Sequence, residues 1–363
     1  MPSQTHKPPV ISTLHAIDSC FAEAGLVRSQ RGQRAGLLPP THFNSAEPED
    51  FARDAPVARR DANGVEWLPV PGWDPDWLWA GFSTRRGGGS RVYCAEDCAQ
   101  GELNLGFTAE DDAKIVARNR EWLAEAVTGD RKTLLVALRQ FHSNLVVQTS
   151  RSDADRKLPC KADGQMTDEP GLLVAIQTAD CIPVLVADRR RRAVAAFHAG
   201  WRGTVKRIVE AGIGRMRLAY GARPEDMVAA IGPGIGACCY AVGEEVFSAF
   251  ESQFSYAAEL FHEVADSDGM RKRYPMLFLT QRAPGHSSLG LSLQVDLIEA
   301  NRRQLLDAGL KPGAIKVTGG CTQCQQELFF SHRGSHGHAG RMMAVIGIRA
   351  QAGQAKRGTK KGL

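Results

Sequence analysis

Residues 162–203 read ADGQMTDEPGLLVAIQTADCIPVLVADRRRRAVAAFHAGWRG, and this stretch decides the fold. Its three short apolar runs, LLVAIQ, IPVLVA and AVAAF, are bounded by turn residues, a pattern typical of buried strands. The polar segment TADC, which ends at Cys181, separates the first two runs, and His198 directly follows the third. The sequence therefore predicts that rigid strands present a thiol and an imidazole, which favours a precisely built site.

Composition indicates a globular chain with a sizeable core. The chain has 363 residues, of which 43% are hydrophobic and 23% are charged. No run approaches the ~18 apolar residues that span a bilayer, and the N-terminus lacks the pattern of a signal peptide. We therefore expect a cytoplasmic protein with no membrane partner. The nine cysteines are odd in number and irregularly spaced, which favours reduced thiols over a disulfide framework.

The charge distribution does not favour a nucleic-acid partner. The net charge is +5, and positive residues are spread along the chain apart from RRRR at 189–192 and the tail at 356–363. RRRR is predicted to lie in a hairpin turn between strands. Because no basic stripe is interleaved with aromatic residues, we expect no nucleic-acid binding.

The domain organisation follows from a change in pattern near Trp77. Strand-like and helix-like segments alternate irregularly after this point, which predicts an α/β (α+β) fold: one compact domain of mixed β-sheets layered with helices. The expected parts are a partly irregular N-terminal extension over 1–75, a catalytic domain over 76–350 and a basic, disordered tail over 351–363. Apolar residues at helical spacing predict helices over 111–128, 203–221 and 293–310.

His142, Cys181 and His198 are candidate metal ligands. Each lies at or beside a predicted strand end, in a polar patch attached to an apolar run. Two imidazoles and a thiolate suit zinc, and three protein ligands leave a fourth position open, as in catalytic zinc sites. A buried cysteine with two core histidines, or a metal-free Cys–His nucleophilic pair, remains an alternative. Asp163 and Asp180 lie nearest in sequence, and either could be a general acid or base or cap a turn.

The remaining cysteines and a basic turn give weaker signals. Cys321 and Cys324 form a CxxC pair, but a structural role is favoured over a redox or zinc role because no second CxxC has finger spacing. The adjacent Cys238 and Cys239 are interpreted as core thiols. RRGGG at 85–89 could hold an anion or form a solvated turn.

Five motifs identify a family resemblance. QFHSNLVV, ADGQMTDEPGLLVAIQTADCIPVLVAD, AVAAFHAGWRGT, IGPGIGACCYAVGEEV and FFSHR with GRMMAVIGI occur in this order. Between residues 77 and 349 the chain resembles the YfiH-like family, long labelled multicopper polyphenol oxidase or laccase-domain proteins. The resemblance implies a single compact α/β domain with mixed sheets. It also implies a surface zinc site whose three ligands are His142, Cys181 and His198.

The resemblance further implies purine nucleoside chemistry. Family members phosphorolyse adenosine, inosine and S-methyl-5′-thioadenosine, and they also deaminate adenosine. We expect Cys181, Asp180, His142 and His198 to be the catalytic residues, and we hypothesise that a carboxylate such as Asp180 moves the proton during deamination. The expected cofactor is Zn²⁺, with copper less favoured, and the expected partners are purine nucleosides and phosphate.

Arginines are the candidate phosphate ligands. Arg120 on the 111–128 helix, Arg202 in HAGWRG and Arg85 are proposed to hold the phosphate that attacks the anomeric carbon. Arg120 could equally be a surface residue, and Arg202 could brace the turn after His198. A homodimer is possible for such an enzyme.

Three other functions remain open at this point. Cys181 with a histidine could form a metal-free cysteine hydrolase or amidase, or the N-terminal extension could serve a non-enzymatic interaction. A polyphenol oxidase, as the older family label states, fits the ligand count badly. Four copper ions require paired HxH motifs, and among the ten histidines only His336 and His338 form one.

Overall fold

The strands that carry the motifs lie in two six-stranded sheets of a computed structural model. The structure describes residues 57–73, 76–94, 100–154, 156, 158–265 and 291–350. All of them belong to one compact unit. The expected disordered tail, most of the N-terminal extension and most of the polar loop predicted after residue 263 lie outside the described residues.

Seventeen strands and five α-helices are assigned within the described residues. The strands are β1 (Arg59–Arg60), β2 (Glu66–Pro69), β3 (Leu78–Ser83), β4 (Arg86–Gly88), β5 (Gly101–Glu102), β6 (Leu134–Ala137), β7 (Val146–Gln148), β8 (Gly164–Thr167), β9 (Leu172–Thr178), β10 (Ile182–Asp188), β11 (Ala193–Ala199), β12 (Met227–Ile231), β13 (Ala241–Val242), β14 (Phe261–Ala265), β15 (Leu291–Val295), β16 (Ile315–Val317) and β17 (Met342–Ile348). The helices are α1 (Ala113–Thr128), α2 (Trp201–Val205), α3 (Ile208–Tyr220), α4 (Glu244–Glu251) and α5 (Leu297–Asp307).

Both large sheets mix parallel and antiparallel strands, as the sequence predicts. The first sheet has the order β1-β2-β3-β17-β9-β6, and the second has the order β16-β12-β10-β11-β8-β7. Smaller sheets join β13, β15 and β14, and β4 with β5. The predicted hairpin is confirmed: β10 and β11 pair antiparallel, and the four exposed arginines form the turn between Asp188 and Ala193.

The three apolar runs have both faces covered, which explains why they show no polar alternation. Along β10, Val184 and Val186 pack among residues of α3 and α5, whereas Leu185 faces the core between the two sheets. Along β9, Val174 faces that same inner core, whereas Leu173 and Ala175 pack with residues of α1. The resulting layer order is α1, first sheet, second sheet, then α3 and α5.

Two sequence-based boundaries need correction. The expected extension over 1–75 includes two strands of the first sheet, because β2 pairs with β3 and buries Trp67 and Leu68. The helix predicted over 293–310 begins only at Leu297. The preceding residues pair in β15, and the Asp296 side chain accepts a hydrogen bond from the Glu299 N–H as the helix N-cap.

A third correction concerns the segment after HAGWRG. The single helix predicted over 203–221 is two helices, α2 and α3, that are separated at Arg207. Arg207 has a φ of 58°, a left-handed conformation that interrupts the helical path. By contrast, the helix predicted over 111–128 is confirmed as α1, with the Asp112 side chain capping its first turn.

Within the described residues, every helix is too short or too polar to cross a lipid bilayer.

Candidate metal centre

The side chains of His142, Cys181 and His198 lie close together, although each belongs to a different loop or strand end. Antiparallel pairing of β10 with β11 places Pro183 opposite His198, so that Cys181, just before β10, lies beside the end of β11. His142 lies in the connection between β6 and β7. The potential ligand atoms of the three residues all lie within 4.8 Å of one another. We call these three residues the His–Cys–His triad.

The triad is tightly packed around its thiol. The Cys181 Sγ lies 3.9 Å from the His142 Nε2, and the two imidazole rings have centroids 5.0 Å apart. Gly200 allows this approach, because a Cβ at this position would lie 2.8 Å from the Cys181 Sγ and 3.1 Å from the His142 Cδ2. The close packing of the triad therefore requires glycine at position 200, the first glycine of the HAGWRG motif.

Asp163 fixes two members of the triad. Its carboxylate is fully buried, and its Oδ1 lies 2.8 Å from the His198 Nδ1 and accepts a hydrogen bond of 2.9 Å from the His142 backbone N–H. Its Oδ2 accepts bonds from the backbone N–H and the hydroxyl of Ser143, both at 2.7 Å. A carboxylate on Nδ1 leaves the Nε2 of His198 as the ligand atom, an arrangement common for metal-binding histidines.

The loop conformation of His142 also depends on this carboxylate. His142 has a φ of 62°, which is uncommon for a residue other than glycine, asparagine or aspartate. Hydrogen bonds to Asp163 from the backbone N–H groups of residues 141–143 hold the turn in this conformation. The sequence left the role of Asp163 open; its contacts make it a positioning residue.

Electrostatics favour a charged Cys181–His198 pair. Burial raises the pKa of the Cys181 thiol, but neighbouring His198 and His142 outweigh burial and lower it to about 6. Burial opposes protonation of His198, but Cys181 and Asp163 raise the pKa of its imidazole to about 9. Burial also acts against ionisation of Asp163, yet hydrogen bonds from His198 and Ser143 hold its pKa well below its ordinary value. The thiolate, the form that binds metals, is therefore accessible at neutral pH.

The carboxylate of Asp180 accepts hydrogen bonds at both of its oxygens. Asp180 precedes Cys181 and has a φ of 89°. Its Oδ1 accepts a hydrogen bond of 2.6 Å from the Thr322 hydroxyl, and its Oδ2 accepts one of 2.6 Å from the Arg333 backbone N–H. Both oxygens therefore fasten the loop before β10 to the late loop of the chain. The expectation that Asp180 moves the proton stays a prediction.

The three candidate phosphate ligands differ in their contacts. Arg85 forms an ion pair with Glu102, donates to the backbone oxygens of Gln326 and Tyr93, and lies 4.7 Å from the ring centroid of Phe330. Its guanidinium therefore contributes to the fold, and the phosphate role of Arg85 stays a prediction.

The guanidinium groups of Arg120 and Arg202 make fewer polar contacts than that of Arg85. The Nε of Arg120 donates to the Leu105 oxygen at 2.8 Å, and its guanidinium lies 4.2 Å from the exposed Phe107 ring. Burial lowers the pKa of Arg120 to about 10. Arg202 is exposed on α2, close in sequence to His198, and its guanidinium lies 4.2 Å from the Trp201 ring. Of the three arginines, Arg202 is the nearest in sequence to a triad residue, and its phosphate role stays a prediction.

Sequence reasoning missed Tyr240 and Arg333. Burial, with an additional contribution from Cys181, raises the pKa of Tyr240 above its ordinary value. The Arg333 guanidinium lies 5.3 Å from the Tyr240 ring and donates to the Ala241 oxygen at 2.7 Å. Because Arg333 also holds Asp180 through its backbone N–H, this pair connects the late loop with the segment after β12.

The structure also gathers four cysteines that the sequence treats as separate pairs. Cys238, Cys239, Cys321 and Cys324 have sulfur atoms within 4.8 Å of one another. Cys238 and Cys324 are exposed and the other two are half-buried, so the interpretation of Cys238 and Cys239 as core thiols is wrong. We call this group the four-cysteine cluster.

The donor atoms of the triad fit a single zinc ion. Two imidazole nitrogens and a thiolate are typical zinc ligands, and three ligands leave a position for substrate. Among the described residues, the triad and the four-cysteine cluster are the two groups of at least three acidic, histidine or cysteine side chains that could hold a metal. Because the second group contains no histidine, these residues do not provide the imidazole-rich sites that several copper ions need.

Comparison with known proteins identifies the family. A family model described as multi-copper polyphenol oxidoreductase laccase matches residues 79–349. The chain belongs to this family. It is 34% identical over 281 residues to the purine nucleoside phosphorylase YlmD of Geobacillus stearothermophilus. This alignment covers 75% of this chain and 90% of the relative. A purine nucleoside phosphorylase of Deinococcus radiodurans is 36% identical over 273 residues, with the same coverage of 75% and 90%.

A solved structure agrees with this family assignment. The chain is similar to the crystal structure of the hypothetical protein YfiH of Bacillus licheniformis, with a TM-score of 0.64 and 31% sequence identity. The alignment covers 80% of this chain and 99% of that structure. The predicted YfiH-like resemblance and the α/β fold of mixed sheets are thereby confirmed.

Proposed function

We propose that this protein is a zinc-dependent purine nucleoside phosphorylase that acts on adenosine, inosine or S-methyl-5′-thioadenosine. The observation that carries the proposal is the His–Cys–His triad, with its ligand atoms within 4.8 Å of one another and its orientation set by buried Asp163. The names of two relatives at 34% and 36% identity support the reaction class.

The chain's own residues would divide the work of the reaction. In phosphorolysis a phosphate oxygen bonds to the anomeric carbon, the glycosidic bond breaks, and its electron pair leaves with the purine nitrogen. Arg202 is the proposed phosphate ligand, because it is exposed on α2 close to His198. Zinc held by His142, Cys181 and His198 would supply Lewis acidity at the site. Asp163 would keep His198 oriented, as the 2.8 Å contact to Nδ1 supports.

Adenosine deamination is proposed as a second activity at the same site. Zinc deaminases that act on nucleobases also use mixed imidazole and thiolate ligands, which supports this assignment. Deamination requires a group that transfers a proton to the leaving ammonia, and the Asp180 oxygens already accept hydrogen bonds from Thr322 and Arg333. The proposal therefore makes phosphorolysis the main reaction.

Product analysis tests both activities. Purified protein is incubated with adenosine, with and without phosphate, and adenine, ribose 1-phosphate, inosine and hypoxanthine are quantified. The proposal predicts phosphate-dependent formation of adenine and ribose 1-phosphate in equal amounts. Deamination predicts inosine in the absence of phosphate. The absence of phosphate-dependent cleavage with all three nucleosides would contradict the main proposal.

The same preparation tests the alternative of a metal-free cysteine hydrolase. If chelation of the metal leaves activity intact and alkylation of Cys181 then abolishes it, the thiol is the nucleophile and the zinc proposal is wrong. The matched control is Cys160→Ser, because Cys160 is also half-buried and lies outside both the triad and the four-cysteine cluster.

A further inference from the structure

The four-cysteine cluster joins two segments that are far apart in the chain. Cys238 and Cys239 follow β12, whereas Cys321 and Cys324 follow β16, and these two strands pair in parallel. The Cys324 Sγ lies 3.5 Å from the Cys238 Sγ and 3.4 Å from the Cys239 Sγ. Nothing in the proposed nucleoside chemistry uses these thiols.

Backbone hydrogen bonds give both segments a defined shape. An isolated parallel bridge joins Gly234 to Cys321, and the Thr322 N–H donates to the Gly234 oxygen at 3.0 Å. The Gly236 N–H donates to the Cys321 Sγ at 3.3 Å. Turns after Gly236 and after Cys321 then direct the second cysteine of each pair toward the same point. Backbone N–H donors to sulfur stabilise negative charge on a thiolate, because a charged acceptor forms the stronger bond.

Gly236 makes this convergence possible. A Cβ at this position would lie 3.2 Å from the Cys321 Cβ and 3.3 Å from the Cys238 Sγ. Both distances are tighter than ordinary van der Waals contact, so a side chain here would push the two cysteine segments apart. The glycine therefore serves the cluster as Gly200 serves the triad.

The sulfur positions do not match a disulfide. A disulfide needs two sulfur atoms about 2.05 Å apart. Here Cys324 is almost equally distant from Cys238 and Cys239, at 3.5 Å and 3.4 Å. All four sulfur atoms lie within 4.8 Å of one another, which fits a shared set of metal ligands. In tetrahedral zinc sites the Zn–S bonds of about 2.3 Å place sulfur atoms about 3.8 Å apart, close to these separations.

We propose that Cys238, Cys239, Cys321 and Cys324 bind a structural Zn²⁺ ion through four thiolates. Each thiol releases one proton, so binding forms four Zn–S bonds, releases four protons and requires no oxidant. Four protein ligands leave no open position, which assigns this ion a structural role rather than a catalytic one. The proposal does not rest on the proposed phosphorylase function.

The second ion would support the triad from a distance. Thr322 lies between two of the four ligands, and its hydroxyl donates to the Asp180 carboxylate at 2.6 Å. The Ile235 N–H, on the other segment, donates to the Asp180 backbone oxygen at 2.8 Å. Both segments held by the four thiolates therefore contact Asp180, the residue before Cys181. A metal in the cluster would fix the loop that carries the triad's thiol.

Zinc content of full-length variants tests the proposal without reference to activity. The Cys181→Ala variant removes a triad ligand, and it is expected to retain one zinc per chain in the four-cysteine cluster. Adding Cys324→Ser to this variant should reduce zinc to less than about a tenth of an equivalent, whereas adding Cys160→Ser should leave one equivalent. If Cys181→Ala alone holds no zinc, or if Cys324→Ser changes nothing, the proposal is wrong.

A spectroscopic measurement covers the case in which Cys324→Ser does not fold. X-ray absorption at the zinc edge of the Cys181→Ala variant should show four sulfur ligands at about 2.3 Å and no nitrogen. A mixed nitrogen and sulfur shell would overturn the proposal. So would a disulfide among the four cysteines, detected by mass spectrometry of protein purified under reducing conditions.

Discussion

The His–Cys–His triad and the four-cysteine cluster use related ligands in opposite ways. The triad combines two imidazoles with one thiol, and a buried carboxylate, Asp163, orients it. The four-cysteine cluster offers only sulfur, and a backbone N–H group, that of Gly236, supports it. Three mixed ligands suit exchange of a substrate at the metal, whereas four thiolates suit permanent closure. On the number and type of donors, the two proposals therefore assign catalysis to the triad and a structural role to the four-cysteine cluster.

Asp180 connects the two groups. Its backbone precedes the thiol of the triad, and its carboxylate accepts a hydrogen bond from Thr322, which lies within the CxxC segment of the cluster. A change in the cluster can therefore reach the triad through hydrogen bonds to Asp180, of which the one from the Thr322 hydroxyl can be removed by substitution. The predictions below test whether the two groups have separate roles and how strongly this bond couples them.

The largest expected effect comes from the triad thiol. Cys181→Ala should lower kcat/KM for adenosine phosphorolysis more than about 1,000-fold, because it removes one of the three proposed metal ligands. Steady-state kinetics with adenosine and phosphate measure this loss. Cys324→Ser should instead lower thermal stability and reduce kcat/KM much less. Equal losses of activity in the two variants would contradict the proposal that the triad is catalytic and the four-cysteine cluster is structural.

The pH dependence of thiol alkylation provides the next test. In metal-stripped protein, iodoacetamide should modify Cys181 with a midpoint near pH 6, because the histidines lower the pKa of the thiol to about 6. Since the thiolate is the reactive form, modification is slow below this pH and reaches a plateau above it. An ordinary cysteine has its midpoint near a pKa of about 8.5, and such a midpoint for Cys181 would contradict the charged pair. Peptide mass spectrometry assigns the modified cysteine.

Asp163→Asn should weaken the triad without removing a ligand. We expect zinc affinity at the triad to fall about 10- to 100-fold and the free energy of unfolding to fall by about 2–3 kcal/mol, because a charged acceptor of several hydrogen bonds is lost. Chelator competition and denaturant unfolding measure these changes. Asp168→Asn is the matched control, since Asp168 is an exposed carboxylate of the same region.

The acid limb of the stability curve should change in the same Asp163→Asn variant. The pKa of Asp163 lies below its ordinary value in the folded protein. Its contribution to stability is therefore complete above the unfolded pKa of about 3.9 and is lost as the pH falls through the lower folded pKa. Wild type should lose stability over this acidic range more steeply than the variant. Parallel curves would show that Asp163 is not held as a carboxylate.

A smaller effect should distinguish Arg202 from Arg85. Arg202→Ala should raise the KM for phosphate about tenfold, equivalent to about 1.4 kcal/mol, with little change in folding stability. Arg85→Ala should mainly lower stability, because it leaves Glu102 without its ion-pair partner. Phosphate titrations and thermal unfolding of both variants provide the test. If Arg85→Ala alone raises the KM for phosphate, the two roles are reversed.

The smallest effect should come from the bond that joins the two groups. Thr322→Val removes one hydrogen bond to a buried carboxylate, and it should lower the free energy of unfolding by about 1–2 kcal/mol and kcat several-fold. Thr322→Ser retains the hydroxyl and should restore both values. An unchanged kcat in Thr322→Val would show that the triad does not depend on the hydrogen bond between Thr322 and Asp180.

Local sequence patterns predicted the strands and the triad candidates but not the contacts between distant segments. The apolar runs of β9, β10 and β11 predicted buried strands. Cys181 and His198 became candidates because they lie among the polar residues at the ends of these runs. The strand β15 looked helical because Leu293 and Leu297 have helical spacing, but pairing with β14 and the Asp296 cap override that period. Tertiary pairing of this kind leaves no local signal in the sequence.

Charged and thiol side chains were the hardest to interpret. Arg85 looked like a phosphate ligand because it begins a glycine-rich turn, yet its ion pair with Glu102 forms only when β4 and β5 pair. The cysteines after β12 and β16 meet because these strands are parallel neighbours, which neither CC nor CxxC alone indicates. Only the prediction that β12 and β16 are neighbouring strands would have indicated that the two cysteine pairs meet.

Anomalous diffraction at the zinc edge, from crystals grown without added metal, tests the central claim most directly. At the triad, the account predicts a peak bonded to the Nε2 atoms of His142 and His198 and to the Cys181 Sγ, at about 2.0–2.3 Å, separate from any peak in the four-cysteine cluster. Crystals of active protein that show no anomalous peak between these three side chains would contradict it.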